Sequence, residues 1–271
     1  MKVYPFFEIV KHKEIKTSVL YINRPTSRNA MNWEFFRDLP FQIQELERDP
    51  ETAVVIIAGK GKSFSVGLDL REFVYDFGNI VFSENASERE ELYRLIREMQ
   101  RGFLELYRSS FVSIACIHKH CYGAALDLVS FCDLRIASSD AVFSIREAEF
   151  GITADLGVLQ ILPSIIGKGA TAKLAYTATD VHADEAFRIG LIEEVHNDEE
   201  AALKRSLELA GEIAKHPPLG VKGIRQSLNA PFDPDREMER AALWTAAFLD
   251  SPEFRDIARK HFHYDNPDRS D

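Results

Sequence analysis

Cys121-Tyr-Gly-Ala-Ala-Leu-Asp-Leu128 places an acid, Asp127, just past a small-residue turn, where an apolar strand pattern gives way to a helical one. A carboxylate among Leu, Val and Ala is costly to desolvate, so such acids are more often kept for chemistry than for packing. Upstream, Val112 to Ile117 reads as a buried strand. Downstream, Leu134 to Ala137 and Ala141 to Ile145 are short β-type runs. Two further acids follow on the same apolar frame, Glu147 in Arg-Glu-Ala-Glu-Phe-Gly and Asp155 in Thr-Ala-Asp-Leu-Gly. Three carboxylates so placed suggest a site that moves protons.

Further toward the N-terminus, Thr17 to Asn23 reads as a strand, Trp33 to Arg48 as an amphipathic helix, and Ala53-Val-Val-Ile-Ile-Ala58 as a strand covered on both faces. The segment around Asp76 to Asn85, with its Gly and Asn, reads as a loop before a helix over Ser87 to Arg108. Beyond Ala154 the pattern turns helical: Val158 to Ile166, Gly169 to Ala178, Ala183 to Ile189 and Glu199 to Lys215. After Pro217 and Pro218 come Leu219 to Leu228, Pro234 to Leu249 and Pro252 to Phe262. The expected organisation is an α/β core over residues 1–200 and a helical C-terminal region over 201–271.

The 271 residues are 45% hydrophobic, enough for a full core, and carry a net charge of -10 with no clustered basic face. A nucleic-acid partner is therefore not expected. Cys116, Cys121 and Cys132 are an odd number in apolar sequence and read as free thiols of a reducing compartment. With neither a leader pattern nor a membrane-length apolar run, the expected location is cytoplasmic, with no membrane partner.

Lys62-Ser-Phe-Ser-Val-Gly-Leu-Asp-Leu70 follows the strand at 53–58 and turns at Gly67, which would expose the Leu68 amide. The turn at Gly123 would likewise aim the Ala124 amide and the positive end of a helix at an anion. Two such donors on one carbonyl oxygen make an oxyanion hole, worth about 2.7 to 4 kcal/mol per donor in other enzymes.

Arg28-Asn-Ala-Met-Asn32, Ser63-Phe-Ser-Val-Gly-Leu-Asp-Leu70, Tyr122-Gly-Ala-Ala-Leu-Asp-Leu128, Phe131-Cys-Asp-Leu-Arg135 and Ala183-Asp-Glu-Ala-Phe-Arg-Ile-Gly-Leu191 occur in the order found in the enoyl-CoA hydratase/isomerase, or crotonase, superfamily. The resemblance spans roughly residues 15 to 225. Its acid pattern, Asp127, Glu147 and Asp155, is most similar to that of the Δ3,5-Δ2,4-dienoyl-CoA isomerases; a hydratase of the family would carry Glu at 127 and 147 and Gly at 155. The resemblance implies an α/β fold, a crotonase-type spiral of repeated ββα units with a C-terminal helical trimerisation region. It implies an acyl-CoA thioester substrate held around Arg28, Ala30, Ser65, Val66, Gly67 and Gly123, with Leu68 and Ala124 as oxyanion donors. Asp127, Glu147 and Asp155 would be catalytic: Glu147 would remove the C2 proton, Asp155 would protonate C6, and Asp127 would sit beside them and raise the proton affinity of one neighbour. Neither a metal nor a cofactor is implied, coenzyme A being part of the substrate, and the expected assembly is a homotrimer or a dimer of trimers. Ala124, Ala125, Lys119 and His120 stand where Gly is common in the family.

Competing motifs are weaker. Gly61-Lys62-Ser63 lacks the upstream Gly of a phosphate loop, position 56 being Ile. Ser63 and Ser65 do not sit in a Gly-x-Ser-x-Gly elbow. Cys116, His118, His120 and Cys121 bunch without the paired spacing of a zinc site, and His261 and His263 read as the end of a surface helix. The alternatives are an enoyl-CoA hydratase or other crotonase-type enzyme, which would add water to a 2-enoyl-CoA, and a catalytically silent acyl-CoA binding protein.

Overall fold

The computed structural model describes residues 5–83, 85–229, 234–249 and 252–262, so His263 lies outside the described residues. Nine strands occur among them: β1 (Phe7–His12), β2 (Thr17–Ile22), β3 (Val54–Gly59), β4 (Val112–Ile117), β5 (His120–Tyr122), β6 (Leu134–Ser138), β7 (Val142–Ser144), β8 (Val181–His182) and β9 (Glu194–His196). Six form one sheet in the order β1-β2-β3-β4-β6-β9, antiparallel only at β1/β2; β5, β7 and β8 form a second, smaller sheet. The register pairs Val19 with Ile56, and Ile56 with Ile114.

The continuous apolar runs of β2, β3 and β4 exist because this sheet is covered on both faces. Leu20, Ile22, Val55, Ile57, Ala115 and Ile117 point into the main core. Their neighbours Val19, Val54, Ile56, Ala58, Ile114 and Cys116 pack on the other side with Ala202 and Ala210, which belong to a helix spanning Glu199–Ala214. A boundary at 200/201 therefore falls inside that helix: the back of the sheet needs its apolar face, so core and C-terminal region are not separable there.

The helices are α1 (Trp33–Arg48), α2 (Leu70–Val81), α3 (Ala86–Arg108), α4 (Ala124–Ser130), α5 (Val158–Thr177, interrupted at Gly167), α6 (Ala183–Arg188), α7 (Glu199–Ala214), α8 (Pro218–Asn229), α9 (Pro234–Phe248) and α10 (Pro252–Ile257), with a last π-helical turn over Ala258–Phe262. α2 corrects the loop expected around 76–85. Asp69 caps it by accepting from the Glu72 amide at 3.2 Å, and Val74, Gly78, Ile80 and Val81 are buried along it. Gly78 and Asn79 read as turn residues; packing of the apolar stripe overrides that local preference. Among the described residues no helix is long and apolar enough to cross a membrane.

Candidate active site

The turn at Gly67 and the turn at Gly123 are held side by side. Ser65 forms an isolated bridge with Cys121 and Met31 with Leu68, while the Met31 amide donates to the Gly67 carbonyl at 2.8 Å. Gly67 has φ +82, and a Cβ there would come within 2.3 Å of the Tyr122 carbonyl oxygen and 3.1 Å of the Ala124 nitrogen. Only glycine allows so close an approach. Gly123, at φ +51, precedes α4, and a Cβ on it would lie 3.4 Å from Oε1 of Glu147. Leu68 and Ala124 both line a cavity of about 360 Å3, and neither of their amides has a hydrogen-bond acceptor among the described residues. Two unsatisfied donors at one cavity wall form a site for a developing oxyanion.

The same cavity is also lined by acids. Glu147 opens a short 3-10 turn (Glu147–Phe150), Asp155 lies just before α5, and both line the cavity. Burial pushes the carboxyls of Glu147 and Asp155 up to about 7 each; proximity of Asp155 adds to the effect on Glu147. Oε2 of Glu147 is buried without a partner. Both side chains are half-buried when the whole residue is considered, because each presents one edge to the cavity.

Asp127 comes from the first turn of α4. It is fully buried and does not line the cavity; Oδ1 accepts from the Val158 amide at 2.6 Å, and Oδ2 has no partner. Burial, then the nearby Glu147 and Asp155, push its proton affinity well above the carboxylate range, against the opposing pull of the Val158 amide. All seven residues of α4 are buried, which is why an acid four residues past Gly123 is fully buried.

Of the expected substrate-binding positions, Arg28, Val66 and Gly123 line the cavity. Ser65, Ala30 and Gly67 do not. The Ser65 hydroxyl donates to the Asn29 carbonyl at 2.7 Å and accepts from the Gly67 amide at 3.1 Å, so it shapes the turn from within. Ala30 is buried, and its carbonyl accepts from Arg24 at 3.0 Å. Lys119, standing where Gly is common, takes φ +54, a left-handed conformation that ends β4 before β5. That break sends the neighbouring histidines to separate partners: His118 Nε2 lies 3.0 Å from the Gly61 carbonyl and His120 Nδ1 2.9 Å from the Ser63 hydroxyl. Among the described residues no group of three or more His, Cys, Asp or Glu side chains is arranged to hold a metal.

Several lining residues carried no sequence signal. Leu70 and Phe73 come from α2, Leu92, Ile96 and Met99 from α3, and Thr245, Leu249 and Phe254 from the C-terminal segment. Apart from Thr245 these side chains are apolar, which fits that part of the cavity for an alkyl chain. Arg146 closes the other side, over the Tyr122 ring at 4.3 Å and 2.7 Å from Asp180.

The family model described as enoyl-CoA hydratase/isomerase matches residues 14–258. The mitochondrial Delta(3,5)-Delta(2,4)-dienoyl-CoA isomerase of Dictyostelium discoideum is 32% identical over 266 residues, which are 97% of this chain and 91% of that protein. The crotonyl-CoA hydratase of Syntrophomonas wolfei is 34% identical over 228 residues, 84% of this chain and 83% of that protein. A crystal structure of an enoyl-CoA hydratase/isomerase from Xanthobacter autotrophicus Py2 shares the fold, with a TM-score of 0.82 at 23% identity over 96% of this chain and 95% of that one. With two turns presenting free amides to a cavity that buried acids also line, and a family match that runs through every element of that site, this chain belongs to the enoyl-CoA hydratase/isomerase family.

Proposed function

We propose that the protein isomerises 3,5-dienoyl-CoA thioesters to 2,4-dienoyl-CoA thioesters. The observation that carries this reading is the pair Glu147 and Asp155, two acids raised to about 7 in one cavity that also holds the Leu68 and Ala124 amides. Near neutral pH such a pair holds about one proton between them, giving one base and one acid in the same site.

The thioester oxygen accepts from the Leu68 and Ala124 amides, which stabilise the enolate. Glu147 takes a proton from C2; that C–H pair becomes the C2=C3 bond, the C3=C4 pair moves to C4=C5, and the C5=C6 pair takes the proton of Asp155 at C6. Glu147 ends protonated and Asp155 ionised, so no co-reactant or cofactor is consumed. Asp127, through the Val158 amide, holds the segment between Asp155 and α5 in place. The dienoyl-CoA isomerase named above supports the substrate class.

Mixing the protein with a 3,5-dienoyl-CoA and following the absorbance of the conjugated product tests this: turnover that disappears in D155N is expected. No turnover, or a D155N variant indistinguishable from wild type, sinks it. A second reading, hydration of a 2-enoyl-CoA, is favoured by the hydratase relative and would reveal itself as water addition with D155N unimpaired.

Homo-oligomerisation as a trimer or dimer of trimers is part of the proposal, supported by exposed Leu219, Ile224, Leu228 and Leu243 on the C-terminal helices; sedimentation velocity checks it. Three free, buried cysteines fit a reducing compartment such as the cytoplasm, whereas the Dictyostelium relative is named mitochondrial.

A further inference from the structure

Among the described residues, Thr245 is the one polar side chain that α9 brings to the cavity lining. It is 7% exposed, and its hydroxyl has no hydrogen-bond partner. A buried, unsatisfied hydroxyl costs free energy unless some state of the protein uses it. It faces Asp155 closely enough to favour the ionised carboxylate, without reaching hydrogen-bond geometry in this structure.

The placement of the two is fixed by a third residue. Gln100 of α3 is fully buried, and its Nε2 donates both to the backbone carbonyl of Asp155, at 2.5 Å, and to that of Met238 in α9, at 3.1 Å. One amide group therefore ties the acid's own backbone to the helix that carries Thr245. The titratable groups facing Asp155 among the described residues are Glu147, from the turn over 147–150, and Asp127, from α4. Both are acids, and neither is hydrogen-bonded to the Asp155 carboxyl in this structure.

We propose that Thr245 is a positioning residue for Asp155: its hydroxyl turns to donate to the Asp155 carboxylate at the moment the proton leaves for C6. The inference deepens the isomerase reading and rests on it for the proton's destination. The step is balanced, since Asp155 loses one proton to carbon and the new carboxylate gains one hydrogen bond from a hydroxyl that keeps its own proton. It also makes correct docking of α9 a condition for efficient acid catalysis, although α9 lies about 90 residues beyond the acid in the chain.

The test uses T245V, which keeps the shape and removes the hydroxyl, and T245S, which keeps the hydroxyl. Carbon-13 NMR of the Asp155 carboxyl in the resting, full-length protein gives the direct readout. T245V is expected to move the titration midpoint upward by about half a pH unit or more, and T245S to return it toward wild type. In turnover, T245V should lower kcat about tenfold with KM little changed and move the alkaline limb of the rate profile to higher pH, with T245S recovering most of both. An Asp155 titration unmoved in T245V, or a loss in T245S as large as in T245V, overturns the proposal. Because the titration is read without substrate, it decides the role of Thr245 even if wild-type protein turns over no dienoyl-CoA, an outcome that would instead refute the isomerase reading.

Discussion

The two walls of the cavity obtain their chemistry by opposite means. On one side, the donors at Leu68 and Ala124 are main-chain amides, fixed by Gly67 and Gly123 in conformations that other residues rarely adopt. On the other, Glu147 and Asp155 are side chains whose proton affinity comes from where they are buried. The first wall is made by backbone geometry and is insensitive to pH; the second is made by desolvation and is set by pH. Substitutions should therefore break the acid wall by chemistry and the amide wall by shape.

The largest expected effect is on the acid wall. E147Q and D155N should each lower turnover of a 3,5-dienoyl-CoA by about 10²- to 10⁴-fold, the range of a lost general acid or base, with thioester binding retained. Steady-state kinetics together with binding of a non-isomerisable acyl-CoA checks this. On the amide wall, G67A must force its methyl toward the Tyr122 carbonyl, 2.3 Å from the ideal Cβ position, and hold an L residue at φ +82. It should displace the Leu68 donor and lower kcat by about 10²- to 10³-fold, while the Glu147 and Asp155 titrations, read by carboxyl NMR, stay in place.

The pH dependence sharpens the contrast. With both acids near 7, protonating the pair removes the base and ionising it removes the acid, so the rate should peak in a narrow bell about pH 7. Stability runs one way only. Asp155 has a value of about 7 in the folded protein against 3.8 ordinarily. Its neutral form is present in both states below about pH 4; between there and 7 the unfolded chain ionises first, and stability falls as pH rises, by an amount on the order of a few kcal/mol per such group. Denaturant melts at pH 5 and pH 8 should show wild type weaker at pH 8, and D155N should lessen that difference. The smallest effect belongs to D127N. An Asn oxygen can still accept from Val158, and burial already raises the proton affinity of Asp127, so turnover should change by less than about tenfold. A loss as large as that of D155N would mean that Asp127 reaches the substrate.

What could be read in the sequence follows from the range of the forces involved. The strands at 17–23, 53–58 and 112–117 are continuous apolar runs, and burial on both faces demands that composition wherever they sit. The two turns and three acids are local patterns in short segments. By contrast, α2 carries Gly78 and Asn79, and only packing across the cavity makes it a helix. The side chain of Ser65 turned inward because the loop needed its hydroxyl, which does not follow from residue type. Thr245, Leu249 and Phe254 had no local signature at all. They join the site through contacts of α9 and α10 with segments far earlier in the chain.

The most direct measurement of division of labour between the acids is proton exchange in heavy water, with a 3,5-dienoyl-CoA as substrate. D155N should still wash deuterium into C2 while forming almost no 2,4-diene, and E147Q should do neither. Rapid C2 exchange in E147Q, or wild-type diene formation in D155N, would contradict the assignment of Glu147 to C2 and Asp155 to C6.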